Sequence, residues 1–372
     1  MSRIYLDHNA TSPAPQSVID AVSHAMSVVG NASAQHGHGR SAASLIADAR
    51  EAVGMAMGQC AQDVLFTGSG TEALNTAIHS AVMSGCQHLL ISSLDHPATI
   101  MAAEASGARV TMLPATTSGQ TNMDALAAIL KGWDTGEGRP FLSLVAANSE
   151  TGVIQDTDRA IDLMQDAGGL TLIDAVQALG KLPMAYPADY VAVAAHKIGG
   201  PQGVGALYVS PDAPFTSLLH GGGQERRRRA GTLNTAGIAG FGAAVADIDT
   251  RYAGLSELRD ALQTALIDID PEIVVFGTRE DRLPNTLFVS APGLRAMTAM
   301  MNFDLAGISV STGTACSSGK VGESRALRAM GRIQDAKDGA IRISFGPGNT
   351  MNDVQAVAKV WATLRRKDRE AA

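Results

Sequence analysis

Ala194-Ala195-His196-Lys197-Ile198-Gly199-Gly200-Pro201-Gln202-Gly203 lies between two apolar runs, Tyr190-Val191-Ala192-Val193 and Gly205-Ala206-Leu207-Tyr208-Val209. Runs this short, bounded by Gly and Pro, read as buried strands. Lys197 therefore sits just past a strand's end, in a tight loop beside a histidine. An amine desolvated on one side loses proton affinity and suits Schiff-base chemistry. A lone loop lysine is ordinarily just solvated, so the reading needs a second group. That group is Asp174, which ends the strand Leu170-Thr171-Leu172-Ile173 and precedes the lysine by 197 − 174 = 23 residues. The gap holds one crossover and one strand. An acid and an amine at consecutive strand ends are what pyridoxal phosphate (PLP) requires. The lysine bonds its aldehyde, and the acid keeps the pyridine nitrogen protonated so that the ring accepts electrons.

Upstream, strands and helices alternate from about residue 60, which predicts a parallel sheet covered by helices on both faces. Val64-Leu65-Phe66-Thr67 runs into Gly68-Ser69-Gly70-Thr71-Glu72-Ala73, and a helix follows to about Met83. His88–Ser93 is followed by His96, and Phe141–Val145 by Asn148. Gly68, Gly70 and Ala73 also fit a dinucleotide-binding pattern, with Asp95 after the next strand as the matching acid. Both readings share a phosphate resting on a helix N-terminus. Ligands of open α/β sheets lie outside the carboxyl ends of the strands. Five strand ends carry useful groups: Gly70/Thr71, His96, Asn148, Asp174 and Lys197. A dinucleotide fold has no use for the last two, so the PLP reading is preferred.

The flanking segments are less decisive. Residues 13–29 predict a helix, and Asn31–Arg40 reads as a polar loop whose histidines lack ligand-spaced acids or cysteines, so no metal is expected. Arg226-Arg227-Arg228-Arg229 invites a nucleic-acid reading, but no aromatics are interleaved. A solvated loop, or one arginine on an anion, is the better account. Asn234 to Asp268 reads as a long helical connection into a second, α+β domain. Its predicted strands are Ile273–Phe276, Thr286–Val289, Ile308–Ser311 and Ala340–Phe345, with a helix over Met297–Ala306. The proposed division is 14–255 for a large domain, with 1–13 and 256–372 forming a small one.

The chain has 372 residues, 45% apolar and 17% charged, with a net charge of −7. That composition excludes disorder and disfavours nucleic-acid or membrane binding. No apolar stretch is long enough to span a bilayer, and no signal peptide is evident. Three cysteines are too few and too odd for a disulfide framework, so a reducing cytoplasm is expected.

Of these cysteines, Cys316 lies in Thr312-Gly313-Thr314-Ala315-Cys316-Ser317-Ser318-Gly319-Lys320. Inert cysteines are usually packed by apolar neighbours, whereas this one is surrounded by small polar residues and reads as a nucleophile. Arg342 alternates with Ile341 and Ile343 on a strand. It either faces solvent or meets a substrate carboxylate in a two-pronged pair. His96 suits stacking on a cofactor ring or shuttling a proton, against the ordinary role of a satisfied loop histidine.

Together, Ala-His-Lys-Ile-x-Gly-Pro around Lys197, Gly-Thr-Ala-Cys-Ser-Ser-Gly-Lys around Cys316, and Tyr-Leu-Asp-x-Asn-Ala-Thr near the start resemble the cysteine desulfurases. The resemblance covers nearly the whole chain. It is to the branch serving iron–sulfur cluster assembly, nitrogenase-associated members included. It implies a fold type I PLP-dependent transferase, with a mostly parallel seven-stranded sheet and a smaller α+β domain, working as a homodimer. By position, Lys197 would anchor PLP. Gly70, Thr71 and His196 would hold its phosphate, with Thr232 reaching the partner's. Asp174 would meet the ring nitrogen, Gln177 the phenolic oxygen, and His96 the ring face. Asn148 and Arg342 would bind the carboxylate of L-cysteine, and Cys316 would take its sulfur for an iron–sulfur scaffold or other acceptor. A selenocysteine lyase, or another PLP enzyme of the same fold, is the alternative. Ala194 replaces a usual phosphate-binding serine, Ala32 a proline, and Arg227-Arg228 a small-apolar pair.

Overall fold

The computed structural model describes residues 3–184, 186–313 and 323–371. In chain order the elements begin with β1 (Ile4–Tyr5), α1 (Gln16–Ser27), α2 (Gly37–Ala56), β2 (Val64–Thr67) and α3 (Gly70–Met83). They continue with β3 (His88–Ser92), α4 (Pro97–Ala105), β4 (Arg109–Leu113), α5 (Met123–Lys131), β5 (Phe141–Val145), α6 (Thr157–Asp166), β6 (Leu170–Asp174), β7 (Tyr190–Ala194) and β8 (Gly205–Val209). Then come α7 (Thr235–Val245), α8 (Ile248–Arg251), α9 (Leu255–Ile269), β9 (Val274–Val275), β10 (Thr286–Ser290), α10 (Ala296–Leu305), β11 (Ile308–Ser309) and β12 (Ser311–Thr312). The last are α11 (Arg325–Ala329), β13 (Ile341–Ser344) and α12 (Met351–Ala371).

Seven strands form the large sheet in the order β2-β8-β7-β6-β5-β3-β4. All pairs are parallel except the two made by β8. Strand periodicity divides the apolar side chains between the two faces. Leu89, Ile91, Phe141, Leu172, Tyr190 and Ala192 pack in the cluster that contains Leu74 and Ile78 of α3. Their neighbours Leu90, Leu142, Ile173, Val191 and Val193 belong to the opposite cluster, with Val53 of α2 and Phe241 of α7. Burial on both faces explains why these strands read as continuous apolar runs.

A four-stranded antiparallel sheet, β12-β13-β10-β9, forms the other layer, and β1 pairs in parallel with β11 beside it. The N-terminal strand thus joins a layer made from the last hundred residues, and the chain that follows it turns toward Lys197.

Three features differ from the sequence-based expectation. The polar stretch 31–40 already contains the start of α2, capped by His36, whose Nδ1 accepts from the Gly39 amide. A histidine cap was hidden by the local polarity. The connection 234–268 is not one helix: Gly254, at φ +75°, separates α8 from α9. Strand β4 was missed because its residues are mostly part-exposed, as expected at a sheet edge.

The arginine tract is structural in part. Glu225, Arg226 and Arg227 have φ of 46°, 57° and 67°. Consecutive left-handed residues other than glycine cost about 1–3 kcal/mol each and need external support. Buried Glu225 supplies it: it takes two hydrogen bonds from Arg50, at 2.6 and 2.8 Å, and one from the Phe66 amide.

Candidate active site

The five strand ends singled out in the sequence converge on one cavity of about 250 Å³. Gly70, Thr71, His96, Asn148, Asp174, Gln177, His196 and Lys197 line it. Two other candidates, Thr232 and Arg342, do not. Thr232 lies exposed on a loop away from the cavity. Arg342 is 2% exposed and tied to Asp7 at 2.8 Å and to the Ser149 carbonyl at 2.9 Å. It does not face solvent, and its Nε is buried without a partner among the described residues. Ser149 itself lines the cavity, so Arg342 stands one hydrogen bond behind the wall. Cys316 lies outside the described residues.

Helix α3 begins at the cavity. Its N-cap Ser69 accepts from the Glu72 amide at 3.1 Å, and Glu72 accepts in return from the Gly68 amide at 2.8 Å. This reciprocal cap satisfies the outer donors. Arg229 pairs with Glu72 at 2.8 Å, which offsets the acid's charge beside the helix end. The first-turn amides at Gly70 and Thr71 have no intrahelical acceptors, and the helix dipole adds partial positive charge there. Gly205 on β8 lets this turn sit close: a Cβ there would lie 2.5 Å from the Ser69 carbonyl carbon. Ala194 lines the same corner without a hydroxyl, while Ser69, also in the lining, keeps its hydroxyl hydrogen to donate.

Asp174 is buried, and burial pushes its carboxyl up to about 6 while the charge of Lys197 pulls the other way. Among the described residues it takes one hydrogen bond, from the Val176 amide. Lys197 donates from Nζ to the Asn9 carbonyl at 2.7 Å and the Ala10 carbonyl at 2.9 Å. The segment after β1 thus supplies the acceptors that hold the amine at the cavity edge.

His96 caps α4, its Nδ1 accepting from the Ala98 amide at 3.1 Å. That bond places the ring hydrogen on Nε2. The residue is exposed at the cavity mouth, yet the surrounding wall desolvates the ring and, with Lys197 and Arg325, lowers it to about 4, so it is neutral. A neutral ring whose only basic nitrogen is occupied by a cap is built to stack and to donate, and is poorly placed to shuttle protons. His196 is likewise pushed down to about 4 by burial, Lys197 and Lys181.

The cavity also contains groups the sequence reading did not assign to the site. Burial, aided by the charge of Asp174, pushes Asp95 up to about 7. Its Oδ1 accepts from the Val145 amide, whereas Oδ2 has no partner among the described residues. Glu150 lies just past Asn148; its carboxylate takes hydrogen bonds from the Ser324 hydroxyl and the Ala326 amide. Those two residues flank Arg325, which also lines the cavity. Position at a strand's carboxyl end was the available signal for Asp95 and Glu150.

The residues fit PLP on structural grounds. A buried acid with unspent acceptor capacity, a lysine across the same cavity, and a helix N-terminus at one end match its ring nitrogen, aldehyde and phosphate. The aminotransferase class-V family model matches residues 4–357. The chain belongs to that family. A putative cysteine desulfurase IscS 1 of Bacillus subtilis is 33% identical, covering 99% of this chain and all of its relative. A cysteine desulfurase of Cereibacter sphaeroides is 35% identical, covering 97% and 95%. The solved NifS-like protein from Rickettsia africae superposes with a TM-score of 0.88 at 29% identity, covering 98% and 99%. This member of the class-V family thus shares its architecture, not only its motifs, with that group. No helix among its described residues is long and apolar enough to cross a membrane.

Proposed function

We propose that this chain is a PLP-dependent cysteine desulfurase, which converts L-cysteine to L-alanine and leaves the sulfur on Cys316 for an acceptor protein in iron–sulfur cluster assembly. The observation that carries the reading is the shared cavity of Lys197, Asp174 and the α3 N-terminus. When bound, PLP supplies an electron sink next to the substrate's α-carbon. Lys197 would anchor it, and its amine would take and return the α-proton. Asp174 balances the ring nitrogen's positive charge. Gln177 donates to the ring oxygen, while Gly70, Thr71, His196 and Ser69 receive the phosphate. His96 covers the ring face as a neutral donor. Asn148 orients the substrate carboxylate, with Arg342 behind it through Ser149. Cys316 Sγ bonds to the substrate sulfur as the carbon–sulfur bond breaks. That bond pair stays with the carbon, which is protonated and leaves in alanine.

Thr232, exposed here, serves the cavity of a second copy in a homodimer. The division at residues 14–255 leaves the small domain to carry Cys316. The sparse cysteines, with Cys60 and Cys86 unbridged, support a cytoplasmic setting. The direct test mixes pure protein, L-cysteine and a reductant, and measures alanine and sulfide together. Equal amounts are expected; alanine-free sulfide, or neither product, overturns the reading.

Asp174 makes a second test through pH. Its ionised form is the one that pairs with a protonated ring, and its carboxyl in the folded chain takes a proton near pH 6. Protons therefore compete with the cofactor as pH falls through that value. Cofactor affinity weakens by up to about tenfold per pH unit below it. Asp174→Asn binds more weakly at neutral pH and loses this part of the slope. Equilibrium dialysis of cofactor-free protein across the range checks both outcomes.

A further inference from the structure

Lys181 is a buried lysine that the mechanism above does not use. It is 8% exposed, and its Nζ donates to Gln177 Oε1 at 2.9 Å. A buried ammonium is costly unless an opposite charge is near. The charged groups acting on Lys181 are cations, Lys197 and Arg342. Burial and these two charges push it down to about 7. Two more basic groups face it, His8 and His196, and its charge helps hold both rings neutral. The N-terminal segment, the β7 end and β13 therefore all present basic groups to this lysine. Among the described residues, the charges acting on this lysine are positive, and none of them is an acid.

The local geometry points to what completes the arrangement. Gln177 lines the cavity, and its Nε2 donates to the Asn9 carbonyl at 2.8 Å. That carbonyl also accepts from Lys197. An ammonium can only donate, so Lys181 requires the oxygen of the Gln177 amide on its own side. The amide nitrogen is thereby left on the other side, with a second hydrogen beyond the one given to Asn9. A chain of donors, Lys181 to Gln177 to the cavity, ends on an acceptor position that the described residues do not fill.

We propose that Lys181 is a positioning residue that fixes the Gln177 amide with its N–H side toward the cavity and supplies the positive charge that favours an anionic ring oxygen there. The inference rests on the PLP reading and deepens it. An anionic ring oxygen gives the buried ammonium its missing counter-charge through one polarised amide, and hydrogen bonds in series strengthen one another. The charge also disfavours protonation of the lysine–cofactor nitrogen beside it.

The test is a spectral pH titration of protein loaded with PLP. Lys181→Met keeps the side chain's length and removes its charge. The midpoint of the visible band is expected to rise by about one unit, the scale of one charge acting at short range. Gln177→Leu should raise it as well. Lys181→Met added to Gln177→Leu should shift it less than in the wild type, because the route through the amide is gone. A space-filling role for Lys181 predicts no movement in either background. An unchanged midpoint in Lys181→Met, or shifts that simply add, overturns the proposal while leaving the cofactor reading intact. If Lys181→Met does not fold, Lys181→Gln takes its place, with the same midpoint as the criterion. A wild-type protein that develops no band at all overturns the cofactor reading, and this proposal with it.

Discussion

Lys197→Ala is expected to abolish alanine and sulfide formation from L-cysteine, with a loss of roughly 10⁴-fold or more. That figure is the upper range for one positioned acid–base group, and the covalent anchor disappears at the same time. The structure explains why no neighbour substitutes. A neighbouring amine, Lys181, is held by Gln177 and is itself buried. Both histidines beside the cavity are neutral, and the basic nitrogen of His96 is engaged by its cap. Lys197→Arg should fail as well, because a guanidinium does not give up its proton in a protein. A small primary amine added to Lys197→Ala should restore part of the proton transfer, but not the anchoring. The fold should survive, since the lysine's described hydrogen bonds go to two backbone carbonyls and its strand is held by apolar packing. Product assays, the visible absorbance of the loaded protein and far-ultraviolet circular dichroism separate these effects. Alanine formation above one-hundredth of the wild-type rate, a margin of about 2.7 kcal/mol, would remove Lys197 from the chemistry.

How far the site could be read in advance follows from what each residue depends on. Asp174 and Lys197 were legible because each follows a strand buried on both faces, and such strands have an unmistakable apolar pattern. The convergence of five strand ends then follows from parallel order alone. What was not legible depends on contacts between distant parts of the chain. The carbonyls that hold Lys197 belong to Asn9 and Ala10, nearly two hundred residues away, and no local pattern marks them. Arg342 shows a different limit. Alternation on β13 restricts its direction, but its capture by Asp7 follows from β1 entering the C-terminal layer. That pairing is a matter of topology. Lys181 gave no signal at all, since a lysine in a turn after Gly180 reads as solvated. Arg342 of β13 and His8 of the N-terminal segment act on it across the fold, and no local pattern marks either.

The second large effect concerns Cys316, which follows β12 and precedes α11 in the sequence. Strand β12 ends at Thr312, paired with Ile341 on β13, and Gly313 follows. On the far side of the segment, Ser324 caps α11, with its Oγ accepting from the Leu327 amide at 3.1 Å. Half-buried Glu150 binds both Ser324 and Ala326, and Arg325 between them lines the cavity. Arg325 thus sits at the cavity edge nine residues after Cys316 in the sequence. A thiol carried by that segment has the right chemistry for the transfer, because a thiolate attacks sulfur and leaves the carbon its bond pair. Cys316→Ala is expected to lower alanine and sulfide formation from L-cysteine by roughly 10³-fold or more, comparable to removing a covalent nucleophile. Cofactor loading and the spectral change on adding L-cysteine should persist, since the residues responsible lie elsewhere. Mass spectrometry of wild-type protein after L-cysteine should show one extra sulfur on the peptide containing Cys316, removable by reductant. The same variant separates the two reactions open to this fold. A lyase acting on selenocysteine expels its heteroatom without a protein thiol, because selenium leaves carbon more readily than sulfur does. Full turnover of selenocysteine by Cys316→Ala, with no extra sulfur on the wild-type peptide, would assign the chain to that lyase chemistry. Loss of cysteine turnover together with the sulfur adduct in the wild type would place the transfer on Cys316.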